Sequence, residues 1–352
     1  MIDELDLALV DALRVDPRAP WSTLAGPLGV DQATLSRRWA RLSGDGDAWV
    51  TCYPSAERMG IGLSALVCVE CRAGTVGAVA ATLAADPQTP TVEVVSGDAD
   101  LLITVAALEP GQVTAYVLDR VGHVPGVLRT RTTFVERMVR DGSKWHEGAL
   151  DRAQRLAISG GAPAARDAEP PPRDVLADRV LMQALGADGR MTFAELAQRS
   201  GMPESTVRRR VGELRRTGRL VLRCDASPRL NGRAVSTTLW LDVPAAELTA
   251  AAAWFAEQPA TRMCAMTAGS RANVAANVMT HRMSDARQIE AALAQRMPSV
   301  RVTERQLTLR TVKLVGRLLD PQGRARGYVP IDPWQGTEIG AAAAPVPRPR
   351  RG

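Results

Sequence analysis

Aromatic residues make up only 4% of the 352-residue chain, with 7 Trp, 3 Tyr and 3 Phe. That scarcity argues against extended stacking platforms for single-stranded nucleic acid. Long apolar runs are missing too: stretches such as 60–69 and 248–255 fall short of the roughly 18–20 residues that span a bilayer. No membrane partner is expected. The opening Met1-Ile2-Asp3-Glu4-Leu5-Asp6 is acidic and lacks the positive region of a signal peptide, so a cytoplasmic protein is expected. The cysteine count is odd, at 5, which does not suit a disulfide framework. Cys68-x-x-Cys71 has no second pair, and on a strand its two side chains point to opposite faces. The three histidines, His123, His146 and His281, lie apart in the chain. There is no Gly-x-Gly-x-x-Gly after a strand, no P-loop and no Gly-x-Ser-x-Gly elbow. Neither metal, cofactor nor catalytic residue is expected.

What is present is an ordinary globular composition, 45% hydrophobic and 23% charged, able to bury real cores. The net charge of +6 permits a polyanionic partner. Apart from Lys144 and Lys313 every basic residue is arginine, the side chain better suited to bidentate contacts with phosphate and guanine.

The chain repeats itself. Sliding it by 172 places residues 6–60 over 178–232 without a gap, and 17 of the 55 pairs are identical. Asp6, Leu9, Leu13 and Asp16 fall on Asp178, Leu181, Leu185 and Asp188. Leu24, Ala25 and Gly29 fall on Leu196, Ala197 and Gly201, and Thr34, Arg37, Arg38 and Leu42 on Thr206, Arg209, Arg210 and Leu214. The offset becomes 173 further on, where Pro125 and Val127 meet Pro298 and Val300. Such a register marks a tandem duplication. The Gly- and Pro-rich stretch from Gly160 to Arg173 reads as a linker, preceded by a helix over 144–158. The Ala/Pro/Arg-rich segment 337–352 reads as a disordered tail.

Each unit opens with three short helical patterns. Leu5, Leu9, Ala12 and Leu13 share one helix face. Leu24 and Ala25 face inward from a second helix, Gly29-Val30 turns the chain, and Asp31 caps a third helix. Two helices joined by a glycine turn, the second one basic, form a helix-turn-helix. Candidate DNA contacts on the second helix and its exit are Thr34, Ser36, Arg37, Arg38 and Arg41 in the first unit. In the second they are Ser205, Thr206, Arg208, Arg209, Arg210, Arg215 and Arg216. The rest of each unit alternates as β-α-β-β-α-β, a ferredoxin-like order with helices on one sheet face. The bare face needs a second sheet to cover it.

This combination, with Ser96-Gly97-Asp98-Ala99-Asp100 as the central hairpin, Thr34-Leu35-Ser36-Arg37-Arg38 on the helix and Pro125-Gly126-Val127 before the last strand, resembles the Lrp/AsnC family of transcription regulators. The second unit carries the resemblance through Leu196-Ala197, Ser205 to Arg210, Gly269, Met297 to Val300 and Leu309 to Lys313. It implies an α+β fold of two repeats, each a winged-type helix-turn-helix followed by a ferredoxin-like domain. The boundaries are helix-turn-helix domains at 1–55 and 174–227, ferredoxin-like domains at 60–140 and 232–318, a helix plus linker at 141–173 and a tail at 319–352. It further implies double-stranded DNA as partner, a small effector such as an amino acid near the hairpins, and sheet-to-sheet pairing. Because two units share one chain, that pairing becomes an intramolecular pseudo-dimer, with homo-oligomers built from it. The same family fold is also similar to that of sirohaem decarboxylases, some of which are fused pairs, so an enzyme of that type is the alternative.

The halves have diverged. Residues 6–60 carry 6 Arg against 7 acids, net −1, whereas 178–232 carry 11 Arg against 6 acids, net +5. The second helix-turn-helix is therefore expected to bind DNA more strongly. The hairpins differ in the opposite sense. The first, with Gly97, Asp98 and Asp100, has carboxylates for an ammonium and turn amides for a carboxylate; the second has Gly269, Ser270 and Asn273, without acids. An effector site and a purely turn-forming role for these residues stand side by side.

Overall fold

The structure, a computed structural model, describes residues 2–59, 62–160 and 175–333. Gly60, the linker from 161 and the tail beyond 333 lie outside them. The first unit runs α1 (Glu4–Val15), α2 (Trp21–Leu28), α3 (Gln32–Gly44), β1 (Ala48–Pro54), α4 (Ala56–Met59), β2 (Leu63–Cys71), α5 (Val76–Ala84), β3 (Thr91–Val95), β4 (Leu101–Ala107), α6 (Pro110–Ala115), β5 (Val127–Arg140) and α7 (Arg152–Ser159). The second runs α8 (Val175–Ala187), α9 (Phe193–Ser200), α10 (Glu204–Arg216), β6 (Leu220–Ala226), β7 (Val235–Asp242), α11 (Leu248–Glu257), β8 (Thr261–Ala268), β9 (Val274–Thr280), α12 (Asp285–Arg296), β10 (Arg301–Leu314), β11 (Arg317–Leu319) and β12 (Ala325–Tyr328).

Local chemistry sets the helix boundaries. Asp3 caps α1 in a capping box with Asp6, the Asp31 carboxylate accepts from the Thr34 amide at the start of α3, and Thr192 and Glu195 box the start of α9. Gly29 and Gly201 end α2 and α9 with φ of 68° and 69°, the left-handed conformation that glycine adopts without steric cost.

The two ferredoxin-like domains form one closed set of strands. Around the ring the order is β10-β3-β4-β2-β5-β8-β9-β7, and β7 pairs again with β10. The closure has a simple origin. Each long last strand begins in its own sheet and ends on the other: β5 pairs with β2 up to Val135 and with β8 from Phe134, while β10 pairs with β7 up to Leu307 and with β3 from Thr308. The bare faces expected from the sequence thus cover each other. Leu66, Cys68, Val95, Ala99 and Leu102 of the first half pack with Trp240, Ala272 and Ala275 of the second. Outside the ring, α5 and the residues after α6 cover one sheet and α11 with α12 the other.

Two segments differ from expectation. The helix expected over 144–158 starts only at Arg152, because Asp151 caps it with Gln154 and the preceding amides of Glu147 and Leu150 donate to the buried Asp11 carboxylate. The chain beyond 318 continues as the β11–β12 hairpin on the edge of β10, where Arg324 reaches Asp47 at 3.4 Å.

Candidate nucleic-acid interface

The two helix-turn-helix domains are fastened directly to each other. The wing of each is a single strand, and β1 pairs antiparallel with β6 from Ala48↔Ala226 to Pro54↔Leu220. Two repeat-equivalent arginines, absent from the sequence-derived candidates, complete the joint reciprocally. Arg18 donates to the carbonyls of Gly189 (2.6 Å) and Met191 (2.9 Å) and lies over the Phe193 ring. Arg190 donates to those of Pro17 (2.9 Å) and Ala19 (3.0 Å) and lies over Trp21. Burial, reinforced by the neighbouring Arg18, holds the Arg190 pKa down at about 10. The only sequence signal was identity in register, with Arg18 on Arg190 within loops.

The joint also reaches the barrel. Asp225 on β6 binds Arg223 at 2.6 Å and Arg262 of β8 at 2.9 Å. Burial opposes its charge, but the two guanidiniums outweigh burial and keep its carboxyl below the ordinary range.

With the domains locked, α3 and α10 present equivalent faces, and the candidate arginines divide into two sets. Arg37 and Arg209 are exposed; Arg37 donates to the Thr34 hydroxyl and Arg209 lies 3.9 Å from Glu213. Ser36, Ser205 and Arg216 are exposed beside them, Thr34 and Thr206 are half-buried, and Arg208 is exposed but held to Glu204 at 2.7 Å. The second set is tied back to carboxylates at the first helix of its own domain, contrary to expectation, with Arg38 and Arg210 half-buried and Arg41 still exposed. Arg38 pairs with Asp3 (2.7 Å) and the fully buried Asp6 (2.8 Å), Arg41 also binds Asp6 (2.6 Å), and Arg210 binds Asp178 (2.7 Å). Hydrogen bonds donated to Asp3 and Asp6 push the Arg38 pKa up. Arg38 and Arg210 thus occupy the same register and each neutralises a carboxylate on the first helix of its own domain. Arg215 crosses to Asp16 of the other domain at 2.8 Å and so belongs to the joint. A groove lined by Asp3, Thr34, Arg37, Arg38 and Arg41 remains on the first domain.

The hairpin residues are placed just as equivalently. Gly97 (φ 104°) and Gly269 (φ 98°) turn the chain against the long strand of the opposite half; a side chain on Gly97 would meet the Glu304 carboxylate, and one on Gly269 the Thr132 carbonyl. Asp100 accepts from the Cys71 amide at 2.7 Å. Asn273 accepts from the Val243 amide (3.0 Å) and donates to the Val243 carbonyl (2.7 Å). Both side chains therefore close the end of a neighbouring strand, which is the turn-forming role for Asp100. The Ser270 hydroxyl donates to the Ala272 carbonyl at 2.9 Å, while Asp98 is exposed.

Among the described residues no three His, Cys, Asp or Glu side chains gather as a metal site, and no helix is long and apolar enough to cross a membrane. His123 and His281 each place a ring nitrogen on a backbone carbonyl, of Leu118 and Gly232.

Comparison with known proteins bears on the same parts. The AsnC-type helix-turn-helix domain matches residues 2–43 and again 177–215, and the Lrp/AsnC ligand binding domain matches 64–145. The HTH-type transcriptional regulator FL11 of Pyrococcus horikoshii is 27% identical over 135 residues, covering 38% of this chain and 89% of that protein. An uncharacterized HTH-type transcriptional regulator of Pyrococcus abyssi is 27% identical over 136 residues, covering 38% of this chain and 91% of its own. Each such relative thus has about the length of one unit. A crystal structure of the siroheme decarboxylase NirDL aligns with both units, covering 88% of this chain and 92% of that one with a TM-score of 0.56 at 15% identity. That is a likeness of fold.

Proposed function

The chain belongs to the Lrp/AsnC family, and from that premise we propose that it is a sequence-specific DNA-binding transcription regulator whose two recognition helices act as one rigid pair. The observation that carries this reading is the reciprocal Arg18/Arg190 joint together with the shared β1–β6 ribbon. It holds Arg37 and Arg209 at equivalent exposed positions, as reading two half-sites of one duplex requires. The second domain is the stronger binder, since its exposed Arg208, Arg209 and Arg216 stand in a region of net charge +5 (178–232), whereas Arg37 and Arg41 of the first stand in one of net charge −1 (6–60). In a gel-shift titration on DNA fragments selected with the protein, Arg209→Ala should weaken binding more than Arg37→Ala. A residue contacting a base edge is worth about 1–3 kcal/mol, and one contacting phosphate should lower the salt slope by about 1. Equal losses would overturn the asymmetry; no loss from either would overturn the DNA reading.

An amino acid or related small molecule is the proposed effector. The exposed Asp98 carboxylate and the Gly97 turn are the groups for it, Asp100 being committed to Cys71. A thermal-shift screen of the twenty amino acids tests this: a ligand at 100 times its Kd adds about 2.7 kcal/mol, and Asp98→Ala should abolish that gain.

The second reading, a decarboxylase acting on sirohaem, rests on the whole-chain fold likeness alone. Anaerobic incubation with sirohaem separates the two, because a regulator leaves the absorbance spectrum of that tetrapyrrole unchanged.

A further inference from the structure

Duplication within one chain raises a recognition problem. The two sheets descend from one sequence, so each half could pair with the same half of another copy as readily as with its partner. The barrel seam carries two differences that bear on this. Arg131 pairs in register with Cys68, and Glu304 with Trp240, so Arg131 and Glu304 occupy equivalent positions of the two halves, as do Cys68 and Trp240. Arg131 and Glu304 meet across the seam as an ion pair of 2.5 Å. The fully buried Gln306 sits beside them, donating to Glu304 at 2.8 Å and accepting from the Trp240 indole at 2.8 Å. It also places its amide 3.6 Å from the Cys68 sulfur of the opposite half.

Residues that face their own equivalents across a two-fold axis are identical in a homodimer. Two first halves joined this way would set Arg131 against Arg131 and a thiol against a thiol. Two second halves would set Glu304 against Glu304 and an indole against an indole. Like charges in contact disfavour both homotypic pairs. The volumes disfavour them as well: two thiols underfill a space that one indole and one thiol now occupy, and two indoles overfill it. We propose that Arg131/Glu304, seconded by Cys68/Trp240, is a pairing code that makes a first half accept only a second half, so that a copy of this chain closes on itself and not on a like half of another copy. The inference concerns assembly and does not depend on DNA or effector binding.

Charge reversal in the full-length chain tests it. Arg131→Glu leaves both seam positions acidic, and Glu304→Arg leaves both basic and turns a cation toward the Gln306 amide. Each variant should melt about 3 °C or more below the parent. The double variant Arg131→Glu/Glu304→Arg should melt above both single variants, short of the parent only by the Gln306–Glu304 hydrogen bond it lacks. The decisive arm mixes the two single variants, differently tagged, by co-expression. An acidic first half then finds a basic second half only in the other chain, so the tags should co-purify in a 1:1 exchanged dimer that melts above either variant alone. Two tagged copies of the same single variant should show no such recovery. Where a single variant fails to fold alone, its rescue by the other is the readout. Single variants that melt like the parent, or a mixture no more stable than its components, would overturn the proposal.

Discussion

Lys313 is fully buried, with its ammonium donating to the Asp86 carbonyl at 2.8 Å, and burial pulls its pKa down to about 8. Between about 8 and the ordinary lysine value near 10.4 the unfolded chain binds a proton that the folded chain does not. Stability contributed by this group therefore rises with pH across that window. Lys313→Met should flatten the rise, visible as a smaller difference in melting temperature between pH 8 and pH 10 than the parent shows. A second residue-scale expectation follows from Asp6, which is fully buried under Arg38 and Arg41. Arg38→Ala leaves that carboxylate with Arg41 as its one remaining arginine partner, and losing a hydrogen bond to a charged group costs about 1.5–3 kcal/mol. Arg37→Ala, at an exposed position, should cost under about 0.5 kcal/mol. Chemical denaturation of the two variants separates a structural arginine from a reading one without any DNA in the tube.

Among the elements, the joint between the helical domains is the one whose failure should be felt furthest away. Arg18 and Arg190 each make two hydrogen bonds to carbonyls of the other domain, and hydrogen bonds to a charged group are worth about 1.5–3 kcal/mol. Arg18→Ala and Arg190→Ala should destabilise by similar amounts. Each should also weaken operator binding through lost alignment of α3 and α10, although neither arginine lies on those helices. How far such elements were legible in the sequence depended on whether the repeat preserved them. The helix-turn-helix pairs, the ferredoxin-like order and the bare sheet faces all follow periodicities that both units keep. The inward turn of Arg38 and Arg210 was present in the sequence as a matched pair with Asp6 and Asp178, but arginines on a helix signal groove contact and ion pairing alike until the first helix is packed beside them. Arg131 and Glu304 were invisible for the opposite reason. They differ between the repeats, and only strand pairing brings them together. Asp100 showed its charge in the sequence but not its direction, which the Cys71 amide sets.

At the scale of the whole molecule, the halves share the β1–β6 ribbon, the closed ring of strands and the seam cluster. A protease cut near Pro170, outside the described residues, should leave both fragments in one peak on gel filtration at micromolar concentration; separation would mean that the connecting segment, not the interface, holds them. Light scattering on the uncut protein should give a mass that is a multiple of 37.7 kDa.

The shared ribbon has one more effect. A regulator made of two identical subunits sits on a palindrome with no front or back, because turning it half a revolution reproduces the same complex. Here the rotation exchanges α3 for α10, one at the end of a domain of net charge −1 and the other in a domain of net charge +5. On the proposed DNA reading, the bound molecule would therefore have a heading along the duplex: the α10 side would settle on the stronger half-site and point whatever it carries toward one flank of the promoter.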